Sequence, residues 1–269
     1  MEFYGLFGEK LSHSLSPQIH RHIFSILGVE GAYKLFPVAP EQLRYAGQAL
    51  RTLTIRGANV TIPYKEAIMS QLDEISPEAQ KIGAVNTILL QDGRLLGYNS
   101  DYFGFGRLLE TAGMDPRGKT AVILGNGGAA RAAIAYLLDA GVSRLCLVSR
   151  DPSRHNQLPQ GVELISYADL AEIEGQLLVN TTPVGMYPKV GFSPVGPDIL
   201  DHFQDLADMV YNPTETEFLR LGKSLGKRTV GGLYMLVGQA IRSQEIWQGR
   251  EIGGSVLQQV YDRLVKEFV

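Results

Sequence analysis

Apolar and polar positions along the 269-residue chain switch repeatedly between two periods, one suited to strands and one to helices. "FYGLFG" opens as a strand. "SPQIHRHIFSILG" follows with helical signals: Ser16 as cap, Pro17 at the first helical position, Ile19, Ile23 and Leu27 on one face, and Gly28 as the stop. "AYKLFPV" is the next strand, "EQLRYAGQAL" the next helix and "GANVTI" the third strand. Residues 85–98, "VNTILLQDGRLLGY", predict a hairpin turning at Asp92-Gly93. A helix is expected to start near Asp101, and "MDPRGK" breaks the pattern after it.

From Thr120 a second series begins. "TAVILG" is continuously apolar, as a parallel strand buried on both faces must be. The helical "GGAARAAIAYLLDAG", the strand-like "RLCLVSR", and then "LLVNTT", "LADMVY" and "RTVGG" continue the alternation. Strands alternating with helices predict an α/β fold with mostly parallel sheets. Residues 232–268 read as helical throughout and have no strands of their own to cover, so they are expected to pack back on the first domain.

Composition narrows the class. With 45% hydrophobic residues the chain can bury a sizeable core as one large domain or two modest ones. Charge is mixed in sign and nets −3, with no basic excess that would suit nucleic acid and no polybasic run for a membrane. Neither a leader pattern nor a membrane-length apolar run is seen, so a soluble cytoplasmic protein is expected. The lone Cys146 sits in an apolar run, where it reads as a buried small hydrophobe and fits a reducing compartment. His13, His20, His22, His155 and His202 form no H-E-x-x-H pattern, and no metal site is expected. His20 and His22 fall on different faces of one helix and read as surface residues. Trp247 reads as a packing anchor.

"VILGNGGAARAA" places Gly125, Asn126, Gly127, Gly128, Ala129 and Ala130 between a buried strand and a helix. That is the setting of a dinucleotide turn: glycines let backbone approach a pyrophosphate, and the helix N-terminus offers unpaired N–H groups and partial positive charge. The next strand ends in Ser149, Arg150 and Asp151, with Arg154 one helical turn on. An NAD site would favour an acidic residue at that strand end. Guanidinium groups suit a 2′-phosphate, so NADP is expected over NAD, with Asp151 the one group that could take the ribose role.

A polar series in the first third remains: Ser14 and Ser16, Asn59 and Thr61, Lys65, Asn86 and Thr87, then Asn99 and Asp101. Each alone has an ordinary explanation; Ser16 and Asp101 read as helix caps, Asn99 as a turn residue, and Lys65 as a charge on a first helical turn entered at Pro63. Asn59 and Thr61, two apart on a strand, face one side. Strand-end residues of one sheet converge on one edge, which argues for a joint role.

These segments resemble the shikimate dehydrogenases. The resemblance covers essentially the whole chain and rests on "SLSPQIH" (14–20), "NVTIPYK" (59–65), "GAVNT" (83–87), "YNSD" (98–101), "GNGGAARA" (125–132), "NTTPVGM" (180–186), "DMVYNP" (208–213) and "LVGQ" (236–239). It implies a substrate-binding and catalytic domain of residues 1–101 plus 238–269, a Rossmann-type NADP-binding domain of residues 102–237, and shikimate in the cleft between them. Lys65 and Asp101 would be the catalytic pair. Ser14 and Ser16 would hold the substrate carboxylate. Asn59, Thr61, Asn86, Tyr211 and Gln239 would hold hydroxyls or orient the ring, and Met209 and Gly232 would sit near the nicotinamide. The chain departs from the family in three places: Ser100 stands where Thr is usual, Ser149-Arg150-Asp151 where Asn-Arg-Thr is usual, and Tyr234 where a small residue is frequent.

The implied reaction is NADPH-dependent, reversible reduction of 3-dehydroshikimate to shikimate. A lysine near the carbonyl oxygen can stabilise developing charge and give a proton, or steady that oxygen as an orienting cation; the sequence leaves both roles open. Monomer and homodimer are both compatible with it. Three other readings compete: an NAD-using quinate/shikimate dehydrogenase, a non-catalytic NADP-binding sensor of the same fold, and a two-domain dehydrogenase acting on a folate. The paired Lys65 and Asp101 count against the sensor.

Overall fold

The computed structural model describes residues 1–151 and 158–267. Two compact units emerge, one of residues 1–103 and 237–269 and one of residues 104–236. Arg154 and His155 fall outside the described residues.

The first unit contains β1 (Glu2–Gly8), α1 (Ser16–Leu27), β2 (Gly31–Pro37), α2 (Ala46–Thr52), β3 (Gly57–Val60), β4 (Glu74–Ile75), α3 (Pro77–Ile82), β5 (Thr87–Gln91) and β6 (Arg94–Tyr98). Helix α4 (Ser100–Thr111) leads into the second unit. The six strands of the first unit run β2-β1-β3-β5-β6-β4. Strand β1 lies parallel to β2 and β3, and β4 parallel to β6, while β3-β5 and β5-β6 are antiparallel. The expected hairpin forms the β5-β6 pair, in which Gln91 faces Arg94 and Asp92 and Gly93 both take positive φ. That is the twist-matched two-residue turn. "EQLRYAGQAL" divides into a 3-10 turn over Pro40–Tyr45 and then α2.

The second unit contains β7 (Thr120–Leu124), α5 (Gly128–Asp139), β8 (Arg144–Val148), β9 (Val162–Ile165), β10 (Gly175–Asn180), α6 (Pro197–Asp201), β11 (Phe203–Asp208), α7 (Glu217–Ser224) and β12 (Arg228–Val230). Its sheet is wholly parallel in the order β12-β11-β10-β7-β8-β9. Both faces are covered, which explains the unbroken apolar run: Ala121 and Ile123 pack to one side with α4 and α5, Val122 and Leu124 to the other with Cys146 and Phe218. The strand order reverses beside β7, the switch point at which open α/β sheets bind ligands.

The C-terminal stretch is broken rather than continuous. Helix α8 (Leu233–Gln248) and α9 (Gly254–Glu267) are separated at Gly249, whose φ is 63°. Trp247 of α8 is an anchor: it is buried, stacks on Tyr4 at 4.8 Å and donates from Nε1 to the Ile88 carbonyl at 2.9 Å. A Cβ at Gly57 would come within 2.2 Å of that indole nitrogen, so glycine at the start of β3 makes room for it.

Two histidine expectations need correction. His20 is buried, stacked on Tyr33 at 4.2 Å and hydrogen-bonded to Gln244 at 2.8 Å, and burial pushes its imidazole down to about 3. His22 is half-buried against Glu267 at 3.1 Å.

Candidate active site

In the first unit, residues of the polar series meet around the carboxyl end of β3 and the start of α4. Val60 ends β3, and Thr61 opens a tight turn in which the Tyr64 N–H donates to the Thr61 carbonyl at 2.9 Å. Pro63 therefore lies within this turn instead of opening a helix. Lys65 follows, and its carbonyl accepts from the Val85 N–H at 2.8 Å, which ties it to the "GAVNT" loop.

Asp101 meets Lys65 there. Nζ lies 2.6 Å from Asp101 Oδ2, with the lysine side chain 24% exposed and the aspartate 12%. Asp101 does not cap α4. Asn99 does: its Oδ1 accepts from the N–H groups of Asp101 and Tyr102 at 3.1 and 3.4 Å. This leaves the Asp101 carboxylate in the first helical turn, where the helix dipole favours negative charge, with Lys65 as its partner.

Asn86 is oriented by its neighbours. Its Oδ1 accepts from Ser100 N at 2.7 Å and lies 3.1 Å from both Ser100 Oγ and Thr87 Oγ1. With the carbonyl end saturated, the amide nitrogen must point away, and among the described residues it has no partner. Ser100, the departure from the family's usual Thr, therefore supplies the hydroxyl and the N–H that set this direction.

Asn59 is spent internally. Its register places it opposite Thr87 on β5. Oδ1 accepts from Tyr33 at 2.8 Å, and Nδ2 lies 3.2, 3.1 and 2.8 Å from the Asn86 carbonyl, Thr87 Oγ1 and Ser243 Oγ. Thr61 is half-buried, and its hydroxyl has no hydrogen bond among the described residues. Ser14 and Ser16 form a pair at 3.2 Å, and Ser14 Oγ accepts from Ser16 N at 3.3 Å. Ser16 is thus the first residue of α1 rather than its cap, which is Leu15. Gln239 on α8 is half-buried, and its carbonyl accepts from Ser243 at 3.0 Å.

The sequence reading missed Tyr33 and Ser243. Ser243 was within reach, since it lies one helical turn after Gln239 on the same face. Tyr33 was not, because only the β1-β2 pairing brings its hydroxyl to Asn59.

In the second unit, parallel register aligns Leu124, Val148, Asn180 and Asp208 at the carboxyl ends of β7, β8, β10 and β11. Gly125 has φ 94°, and a Cβ there would meet Thr182 Cγ2 at 2.7 Å. Gly127 and Gly128 differ: among the described residues a Cβ on either meets nothing within 4 Å. Packing does not demand glycine at these two positions. Open space in front of the α5 N-terminus, with Asn126 before it and Ala129 and Ala130 in its first turn, is what a pyrophosphate requires, so these residues fit a dinucleotide.

Ser149 is buried, its Oγ accepting from Asp151 N at 3.2 Å, while Arg150 is exposed. A Cβ at Gly232 would come within 2.3 Å of the Met209 carbonyl, so these two backbones touch. Tyr211 is half-buried, and burial raises its phenol pKa. Among the described residues no group of three or more His, Cys, Asp or Glu could hold a metal ion, and no helix is long and apolar enough to cross a membrane.

The fold and these geometries define the class, a two-unit α/β protein whose second unit is of Rossmann type. The family profile described as shikimate dehydrogenase substrate binding domain matches residues 6–88. A shikimate dehydrogenase (NADP(+)) of Clostridium beijerinckii is 51% identical over 269 residues, spanning all of both chains. Among solved structures, shikimate dehydrogenase 1 from Peptoclostridium difficile is 53% identical, with a TM-score of 0.90 over the whole of both chains. The enzyme of Thermus thermophilus in complex with NADP(H) and shikimate is 35% identical, with a TM-score of 0.88, covering 98% of this chain and 99% of that one. The chain belongs to the shikimate dehydrogenase family.

Proposed function

We propose that the chain catalyses the NADPH-dependent, reversible reduction of 3-dehydroshikimate to shikimate, the step that feeds chorismate and aromatic amino-acid biosynthesis. The observation that carries this reading is the Lys65–Asp101 pair at 2.6 Å, placed in the same unit as an Asn86 amide whose donors have no partner among the described residues. A sensor has no use for a proton-transfer pair.

NADPH, when bound, supplies the hydride that adds to the ketone carbon. Lys65 stabilises the negative charge developing on the ketone oxygen and gives that oxygen a proton from Nζ; in the reverse direction it takes the proton back. Asp101 keeps Nζ aimed. The Ser14 and Ser16 hydroxyls hold the substrate carboxylate. Thr61, Asn86, Gln239 and Tyr211 hold its hydroxyls and orient the ring, and Asn59 acts by fixing Asn86 and Thr87.

On the second unit, Gly125, Asn126, Gly127, Gly128, Ala129 and Ala130 receive the pyrophosphate. Ser149, Arg150 and Asp151, together with Arg154, take the adenosine end. Met209 and Gly232 line the nicotinamide. The exposed Arg150 guanidinium suits a 2′-phosphate, which supports NADP over NAD. The protein works in the cytoplasm as a monomer or homodimer.

The test is a four-way assay of shikimate and quinate, each with NADP and with NAD, following nicotinamide absorbance. Turnover is expected with shikimate and NADP above the other three. Absence of turnover in all four would favour the sensor, and a best rate with quinate and NAD would favour the quinate enzyme. Arg150→Ala should raise the KM for NADPH far more than that for NADH.

A further inference from the structure

One carboxyl group in the second unit has no place in the reaction just described. Asp208, the last residue of β11, is fully buried, and no cation among the described residues pairs with it. Its carboxylate is instead held by three neutral donors. Asn180 Nδ2 at 2.9 Å and Val210 N at 2.9 Å reach Oδ1, and Thr216 Oγ1 at 2.6 Å reaches Oδ2. Burial pushes its pKa up to about 6.

Each donor comes from a different part of the fold. Asn180 ends β10, and its Oδ1 accepts from Thr182 N at 3.0 Å and Thr182 Oγ1 at 2.7 Å. The methyl of Thr182 is the group a Cβ at Gly125 would strike. Val210 belongs to the loop that carries Met209 and Tyr211. Thr216 caps α7, accepting from Leu219 N. A single carboxylate therefore joins the ends of two strands, the loop between Met209 and Tyr211, and the start of a helix.

We propose that Asp208 is a positioning residue for the reaction: it holds the Met209–Tyr211 segment in the conformation that receives the nicotinamide and the substrate ring. The inference rests on the function proposed above. A carboxyl group suits this task because its two oxygens reach three partners at once. An amide fits less well. Its oxygen can face Asn180 and Val210, but its nitrogen must then donate to Thr216, whose hydroxyl has to turn round.

The experiment compares Asp208→Asn and Asp208→Ala with the wild type in shikimate oxidation by NADP. It also measures competitive inhibition by adenosine 2′,5′-bisphosphate, a probe of the adenosine end alone. Loss of the three bonds should lower kcat about 100-fold in Asp208→Ala, as misplacement of reacting groups does. Asp208→Asn should fall between the two. The inhibition constant should stay within about twofold of wild type in both, since neither variant touches the adenosine end. Asp208→Ala turnover within about threefold of wild type would overturn the proposal. So would Asp208→Asn falling as far as Asp208→Ala, or an inhibition constant that rises in step with the loss of kcat. If Asp208→Ala does not fold, Thr216→Val decides: about a tenfold loss of kcat with unchanged inhibition supports the role, and wild-type kcat removes it. A wild-type protein inactive on shikimate with NADP would count against the proposed function, not against the arrangement at Asp208.

Discussion

The two units solve the problem of holding a small polar molecule in opposite ways. In the first, the proposed holding is done by side chains, and a buried network fixes Asn59 and Asn86. Ser100 and Thr87 carry no charge, yet they set which end of Asn86 is left to act, and Tyr33, Thr87, Ser243 and the Asn86 carbonyl together occupy Asn59. In the second, the proposed phosphate site is backbone and empty space. Among the described residues Gly127 and Gly128 have nothing in front of them, and the helix that follows supplies its own donors. The difference follows from the ligands. Hydroxyls and a ketone need donors and acceptors in particular directions, whereas a pyrophosphate accepts from any N–H pointed at it.

The sharpest way to break this comparison is at Lys65. Lys65→Ala should lower kcat about 1,000-fold, the scale of a lost general acid and charge stabiliser, while leaving the KM for NADPH nearly unchanged. Steady-state kinetics with each substrate varied would check this, and near-normal turnover would remove Lys65 from the chemistry.

The next effect concerns stability and belongs to the second unit. Asp208 has a folded pKa of about 6, above its value in the unfolded chain. A raised carboxylate contributes stability at low pH and loses it as pH rises through the folded value. Asp208→Asn removes that loss. Its stability in urea unfolding, relative to wild type, should rise by about 3 kcal/mol between about pH 4 and pH 6 and be flat on either side. A difference independent of pH would mean that Asp208 does not titrate in this range.

The glycines separate packing from binding. Gly127→Ala should leave the thermal midpoint unchanged and raise the KM for NADPH about tenfold, because among the described residues the new methyl meets no atom and enters the proposed phosphate space. Gly125→Ala should lower the midpoint as well, since its φ of 94° and the Thr182 methyl at 2.7 Å both resist a side chain. Equal effects on stability would erase the distinction between the two positions.

The smallest change tests the network of the first unit. Ser100→Ala removes one hydroxyl from Asn86 and keeps the backbone bond, so kcat/KM for shikimate should fall about fivefold with NADPH kinetics unaffected. A shift in the cofactor KM instead would show that Ser100 does not act through Asn86.

Much of this arrangement was legible in the chain before folding. Local chemistry carried the hairpin at Asp92-Gly93, the buried run of β7 and the glycine turn, because each depends on neighbouring residues and on backbone preferences. The pairing of Lys65 with Asp101 was legible only through a family resemblance, since 36 residues separate them. His20 was misread because helical spacing assigns faces but does not say what lies opposite; α1 turns His20 toward Tyr33 and Gln244. The caps were misassigned because Ser16 and Asp101 are residues that cap well, and only coordinates show that Leu15 and Asn99 occupy the cap positions.

By itself, then, the sequence determined the alternation of strands and helices, the dinucleotide turn and the residue types available for proton transfer, all matters of short-range pattern. Tertiary structure decided which way each polar group faces. Asn86 presents its amide nitrogen, Asn59 turns inward and Asp208 is buried among uncharged partners, because a buried hydrogen-bonding group takes the orientation that satisfies all of its partners, and those partners come from distant parts of the chain.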